Sequence, residues 1–190
     1  MGLEGSEAAR ASDFSIGEFR NLKPLLFIHG RENYRRNSVM QIFIIWRNML
    51  VTLINPVWGF ANGLSGTATH HETLLAYFQL LYTPFGIIAY ALTDREYSDE
   101  VLLSDPTKYK IGMKNQYYNS KVFWLYEFYA GIQGLWPVLF MLIPLESSAA
   151  HSDGHMTSYW TVVTMTFWVS CAAINLEILI YASKITVVLV

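Results

Sequence analysis

Polar stretches alternate along this chain with four apolar runs, each long enough to form one membrane-crossing helix. The runs cover about 39–61, 73–92, 122–145 and 157–182. A helix rises about 1.5 Å per residue, so about 20 apolar residues cross a hydrocarbon core. The stretch from Ser38 to Asn62 differs from the others because Arg47 and Asn48 sit in its body. Gln41, Asn48, Thr52, Asn55 and Asn62 recur at spacings of seven, four, three and seven, which puts them on one helix face. Asn55-Pro56 predicts a kink or an unwound turn, since Pro56 has no backbone donor. The second run carries Gln79 and a predicted break at Pro84 and Gly86. The third carries Glu127, Gln133 and Pro137. The fourth opens on Tyr159 and Trp160, as interfacial aromatics do, and holds Asn175 and Glu177.

The segment before the first run is polar and mixed. Ser15 and Glu18 have capping-box spacing, and Phe19, Leu22, Leu25 and Leu26 follow. A helix is therefore predicted from near Ile16, bent at Pro24. Residues 93–121 form a charged linker. The loops at 62–72 and 146–156 hold no Lys or Arg. The first segment holds Arg10, Arg20, Lys23, Arg31, Arg35 and Arg36, and the linker holds Arg95, Lys108, Lys110, Lys114 and Lys121. The positive-inside rule then places the N-terminus, the linker and the C-terminus in the cytoplasm. The expected fold is an all-α polytopic membrane protein, with four transmembrane helices after a short cytoplasmic segment.

Composition agrees with that class. The 190 residues are 53% hydrophobic and 15% charged, with mean hydropathy +0.26. A net charge of -2 argues against nucleic acid as a partner. The single cysteine, Cys171, excludes an intrachain disulfide. No GxxxxGK[ST] or dinucleotide loop is present, so the chain alone is not expected to bind ATP. His70, His71, His151 and His155 read as solvated loop residues, and no metal site is predicted.

The candidate chemistry centres on Arg47. An arginine inside a span costs at least ~2.5–3.5 kcal/mol on insertion scales, so it needs compensation. One reading is that its planar guanidinium binds a phosphate. The other is that it snorkels to the interface or pairs with Glu127 or Glu177. Asn48, Thr52, Asn55 and Gln79 could line a hydrophilic groove or serve as interhelical glue worth about 0.6 kcal/mol per contact.

A longer pattern bears on these alternatives. Gly2, Glu4, Gly5, Glu7 and Ala8 precede Ser12-Asp13-Phe14-Ser15-Ile16. Phe19, Leu22, Leu25-Leu26 and His29-Gly30-Arg31 follow, with Tyr34 and Arg36 beyond. This ordered series resembles the end of the phosphorylation domain of phospholipid-transporting P-type ATPases, the type IV flippases. Trp46-Arg47-Asn48 is similar to the family's Tyr-Lys-Asn triplet in the fifth membrane helix. Asn62, Leu64, Ser65 and Gly66, then Pro106, Tyr109 and Gly112, resemble two further elements. Asn119, Lys121, Phe123, Trp124 and Gln133 fit the start of the seventh helix, and Trp160-Thr161 and Asn175 fit the eighth. The sequence departs from the family pattern at Trp46, Arg47, Glu177 and Tyr82-Thr83-Pro84.

The resemblance implies that residues 1–37 end a phosphorylation domain and its stalk, with Ser12, Asp13, His29, Gly30 and Arg31 in the junction motif. It implies that 38–190 belong to the C-terminal membrane domain, as helices five to eight. The implied activity is ATP-driven movement of phospholipid toward the cytoplasmic leaflet, near Arg47 and Asn48. The complete enzyme would use Mg2+ and ATP. Its partners would be phospholipid, the rest of the ATPase polypeptide and an accessory membrane subunit. No catalytic residue is expected in this chain, which reads as a fragment. The rival readings are a catalytically silent regulatory or decoy membrane module, a non-functional fragment, and an unrelated channel or carrier with Arg47 on its ion path.

Overall fold

A continuous helical run extends from Phe19 to Ala61 with changes of hydrogen-bond register. A 3-10 turn, Phe19–Asn21, leads into an α turn, Leu22–Pro24, then a π stretch, Leu25–Gly30, and then the α-helix α1, Arg31–Ala61. The computed structural model describes residues 5, 9–146, 154 and 158–182. The helix starts three residues after the expected Ile16, and the Ser15–Glu18 capping box is not formed: Glu18 is the N-cap and makes no side-chain cap bond. Pro24 keeps helical dihedrals. It lies near the helix start, and the widened π register follows it directly. The anticipated unwinding at Asn55-Pro56 does not occur, because α1 runs through Pro56 to Ala61.

The second run breaks where the proline predicts. Helix α2, Glu72–Tyr77, passes into a π segment, Phe78–Tyr82. Thr83 leaves helical geometry (φ -123°, ψ -18°), and α3, Pro84–Thr93, restarts with Pro84 in its first turn, where a missing N–H costs nothing. The charged linker is folded rather than extended: it contains α4, Asp99–Ser104, a 3-10 turn, Pro106–Tyr109, and α5, Lys110–Met113. Two long helices follow, α6, Ser120–Glu146, and α7, Tyr159–Tyr181.

Among the described residues, three helical runs are long and apolar enough to cross a membrane: Phe19–Phe60, Glu72–Thr93 and Tyr159–Tyr181. The 27 residues of α6 give it the length, about 40 Å at 1.5 Å per residue. Trp124, Phe128, Trp136 and Ile180 lie mostly exposed, an arrangement that lipid favours and water opposes.

The core lies where α1 packs along α6, with α7 against α6 and α3. Phe43, Trp46 and Leu50 of α1 meet Phe78, Ile87 and Tyr90, Ala130 of α6, and Phe167 and Ile174 of α7. Small residues set the spacing, as at other membrane helix contacts. A Cβ on Gly134 would lie 3.2 Å from the Leu50 carbonyl oxygen, and one on Gly86 would lie 2.9 Å from Cδ1 of Ile178.

Candidate functional site

The polar face of α1 turns away from that core. Gln41, Thr52 and Asn55 are exposed and Asn48 is half-buried, while Arg47 next to it is 6% exposed. Arg47 points across to the broken second helix. It donates from Nη1 to Thr83 Oγ1 and from Nη2 to Gln79 Oε1 at 3.0 Å. Gln79 in turn donates from Nε2 to Asn48 Oδ1 at 3.0 Å. The Arg47 guanidinium stands 5.7 Å from the Phe78 ring centroid, and its Nε has no hydrogen-bond partner among the described residues. Among the described residues, every group that Arg47 reaches is neutral.

The helix break supplies part of this arrangement. Thr83 Oγ1 also donates to the Phe78 carbonyl at 2.8 Å, and Asn175 Nδ2 of α7 donates to the Tyr82 carbonyl at 2.9 Å. Backbone acceptors released where the helix breaks must be satisfied inside the protein when no water is available. Thr83 therefore serves a backbone carbonyl and Arg47 at the same time. Only side chains from a neighbouring helix complete that set, so its own segment does not reveal its role.

The structure brings Arg47, Asn48 and Gln79 together. Asn55 sits further along α1, where Thr69 Oγ1 donates to its Oδ1, and Thr52 has no polar contact with the Arg47 group. The expected ion pairs are not formed: among the described residues, neither Glu127 nor Glu177 lies within salt-bridge distance of Arg47. Glu177 instead approaches Gln133 and lines a cavity of about 400 Å³ with Trp46, on another side of α1. Trp46 Nε1 donates to Gln133 Oε1 at 3.0 Å. A 100° step per residue separates Trp46 from Arg47, so adjacent residues serve different interfaces.

In the junction, Ser12, Asp13, His29 and Gly30 are exposed, so His29 is not a packed residue. Arg31 is 3% exposed and belongs to an ion cluster that charge counting alone does not reveal. Arg31 pairs with Glu32 and Glu96, both at 2.6 Å. Arg35 pairs with Asp94 at 2.8 Å and Glu32 at 3.0 Å, and also donates to Tyr90 Oη at 3.0 Å. Arg36 donates twice to the Asp94 carbonyl, at 3.0 and 2.6 Å. Burial opposes the Arg35 charge, but Asp94, Tyr90 and Glu32 outweigh it and hold the guanidinium above its usual pKa. Burial, with Glu96 close by, pushes the Tyr117 phenol up as well.

At the far end of α1, His70 is 3% exposed and is not the solvated loop residue that its sequence context predicts. Its Nδ1 lies 2.9 Å from Thr69 Oγ1, and its ring meets the Phe167 ring edge-on at 5.8 Å. Thr69 spends its hydroxyl proton on Asn55, so the His70 Nδ1–H is the donor of that pair. Nε2 is then a buried acceptor without a partner among the described residues. Burial lowers the His70 pKa to about 4. His71 is exposed and caps α2 by accepting from the Thr73 amide at 3.3 Å. His151, His155 and Lys184 lie outside the described residues.

Comparison with known proteins decides the family. Residues 9–190 match the family described as phospholipid-translocating P-type ATPase C-terminal. The chain belongs to this family. It is 31% identical over 123 residues to the phospholipid-transporting ATPase DRS2 of Saccharomyces cerevisiae, which is 65% of this chain and 9% of the yeast protein. It is 35% identical over 124 residues to the phospholipid-transporting ATPase VD of Mus musculus, again 65% of this chain and 9% of that protein. It is 31% identical over 169 residues to the probable phospholipid-transporting ATPase IM of Homo sapiens, 86% of this chain and 14% of the human protein. The chain thus spans a small part of the length of the curated relatives it matches. As a member of the phospholipid-translocating P-type ATPases with several apolar helices, it is an integral, multi-pass membrane protein.

Proposed function

We propose that this chain is the membrane part of an ATP-driven flippase that moves phospholipid toward the cytoplasmic leaflet, with the head group passing Arg47 and Asn48. The carrying observation is Arg47: a buried guanidinium beside a broken helix that, among the described residues, is held by neutral groups and has no partner for Nε. Such a charge is suited to an anionic visitor, because a phosphate completes its neutralisation and its hydrogen bonds together. Gln79 and Thr83 hold the fork in place. Thr52 and Asn55 extend the exposed polar face along α1.

In this reading residues 1–37 end the phosphorylation domain and its stalk, and 38–190 form the membrane domain with four spans. The N-terminus, the 93–121 linker and the C-terminus face the cytoplasm. Mg2+ and ATP act on the rest of the polypeptide, and an accessory membrane subunit is a candidate partner. The unbroken helical run from Phe19 into α1 supplies the mechanical link from junction to lipid path.

The test is Arg47→Ala in the full-length transporter carrying this segment, with lipid-stimulated ATP turnover measured beside phosphoenzyme formation. Loss of one charge-assisted phosphate contact predicts a fall of about tenfold or more in lipid stimulation, with phosphoenzyme formation retained. Near-unchanged stimulation would overturn the assignment. Absence of phosphoenzyme in every form of the transporter would favour a silent regulatory module.

A further inference from the structure

The ion cluster and the Arg47 group tie the same two segments together at two levels. Arg35 and Arg47 are twelve residues apart on α1, about 18 Å along the axis. Asp94 and Thr83 are eleven residues apart on the returning segment, about 17 Å at the same rise. The two ties, Arg35 to Asp94 and Arg47 to Thr83, thus close a frame of nearly equal sides. Sliding α1 by one residue past α3 would strain both.

Asp94 is built as an anchor. It is 0% exposed and directly follows α3, its amide donating to the Tyr90 carbonyl at 3.0 Å. Its carboxylate takes Arg35 Nη1, and its carbonyl takes Arg35 Nη2 at 3.2 Å and both Arg36 donors. Glu32 and Arg31 extend the tie to Glu96 in the linker. Because Thr83 interrupts the helix, Thr83 and Gln79 draw no rigidity from a continuous rod. Thr83 directly precedes Pro84, so its position relative to Arg47 depends on how α3 is held at its other end.

We infer that Asp94 is a positioning residue for the lipid path: by holding Arg35 and Arg36 it locks α3 in register with α1, which keeps Thr83, at the head of α3, opposite Arg47. This inference rests on the proposed lipid path. Movement entering along Phe19–Gly30 reaches Arg31, Arg35 and Arg36 first, so the lock carries α3 along with α1.

Asp94→Asn in the full-length transporter keeps the side-chain shape and an acceptor but removes the charge. Misplacing reacting groups by a fraction of an ångström predicts a rise of about tenfold in half-saturating phospholipid, with phosphoenzyme formation within about twofold of the parent. Asp94→Glu restores the charge and recovers most of the loss. A residue with a merely structural role would lower phosphoenzyme and turnover together without moving the half-saturating lipid concentration. That pattern, or an unchanged concentration, overturns the inference. Should Asp94→Asn yield no phosphoenzyme, Arg36→Lys decides. It keeps a charge at a half-buried site but loses the fork on the Asp94 carbonyl, and it should raise the half-saturating concentration about threefold; no change overturns the inference. Arg47→Ala run alongside separates the two ideas. If Arg47→Ala leaves lipid stimulation intact, the lipid path fails and takes the lock with it. If Arg47→Ala abolishes stimulation while Asp94→Asn and Arg36→Lys do nothing, the lock alone fails.

Discussion

Arg35 and Arg47 lie on one helix, are 4% and 6% exposed, and are compensated in opposite ways. Around Arg35, three arginines (Arg31, Arg35 and Arg36) meet three carboxylate residues (Glu32, Asp94 and Glu96) in one connected cluster. Charge and hydrogen bonds are both accounted for there. Around Arg47 there are an amide, a hydroxyl and an aromatic ring, with one donor left over. A buried charge with its counter-ions is a fastening, because breaking it strands the partner. A buried charge without one is held at a cost, and an anionic ligand can relieve that cost.

The contrast should show first in stability, where its effect is largest. Arg35→Met removes the guanidinium that Asp94 and Glu32 share, at 2.8 and 3.0 Å, and should cost about 3–5 kcal/mol, as for other broken buried pairs. Arg47→Met strands no charge and keeps most of the apolar stem. It should change stability by less than about 1 kcal/mol or raise it. Thermal unfolding of the purified chain in one detergent measures both variants. Equal losses would mean that Arg47 is a fastening too, and the case for a ligand at Arg47 would lose its physical basis.

His70 adds a third way of handling a buried ionisable group: the protein keeps it neutral. Burial lowers its pKa from 6.5 to about 4. Between those values the unfolded chain holds a proton that the folded chain refuses, so stability falls as pH drops through that window. At about 1.4 kcal/mol per pKa unit, the loss approaches about 3 kcal/mol by pH 4. Carboxylates titrate in the same range, so the readout is the difference between the parent and His70→Phe. The phenylalanine can pack on Phe167 and should flatten that part of the curve. Identical pH profiles would show that His70 takes its proton without resistance, and the three-way comparison would shrink to two.

Much of this was legible in the chain, and the reasons for the rest are physical. Hydropathy located the apolar runs, and Pro84 located the break, because both signals are local. The polar face of α1 was readable as a period, and Arg47 as a charge where charge is costly. What periodicity cannot carry is pairing over distance. Arg35 and Asp94 are 59 positions apart, and in sequence each resembles the solvated charge that usually flanks a span. Glu127 and Glu177 were natural partners for Arg47 by charge alone. Helix rotation placed Glu177 on the Trp46 side instead. His70 looked like loop because its neighbours are polar, yet the ring of Phe167, almost a hundred positions later, covers it.

The smallest expected effect tests whether the contrast holds down to adjacent residues. Trp46 and Arg47 stand side by side, yet they face different partners. Trp46 is 2% exposed and donates one neutral hydrogen bond to Gln133. Neutral contacts between membrane helices average about 0.6 kcal/mol. A double-mutant cycle of Trp46→Phe and Gln133→Leu, read by thermal unfolding, should return a coupling of about that size. Lipid stimulation in the full-length transporter should stay within about twofold of the parent in Trp46→Phe. A coupling above about 2 kcal/mol would make Trp46 a fastening comparable to Arg35. A large loss of lipid stimulation would extend the lipid path around α1 to the cavity that Trp46 shares with Glu177. In the latter case function could no longer be assigned to one face of the helix, which is the division that the charge of Arg47, held by neutral groups, implies.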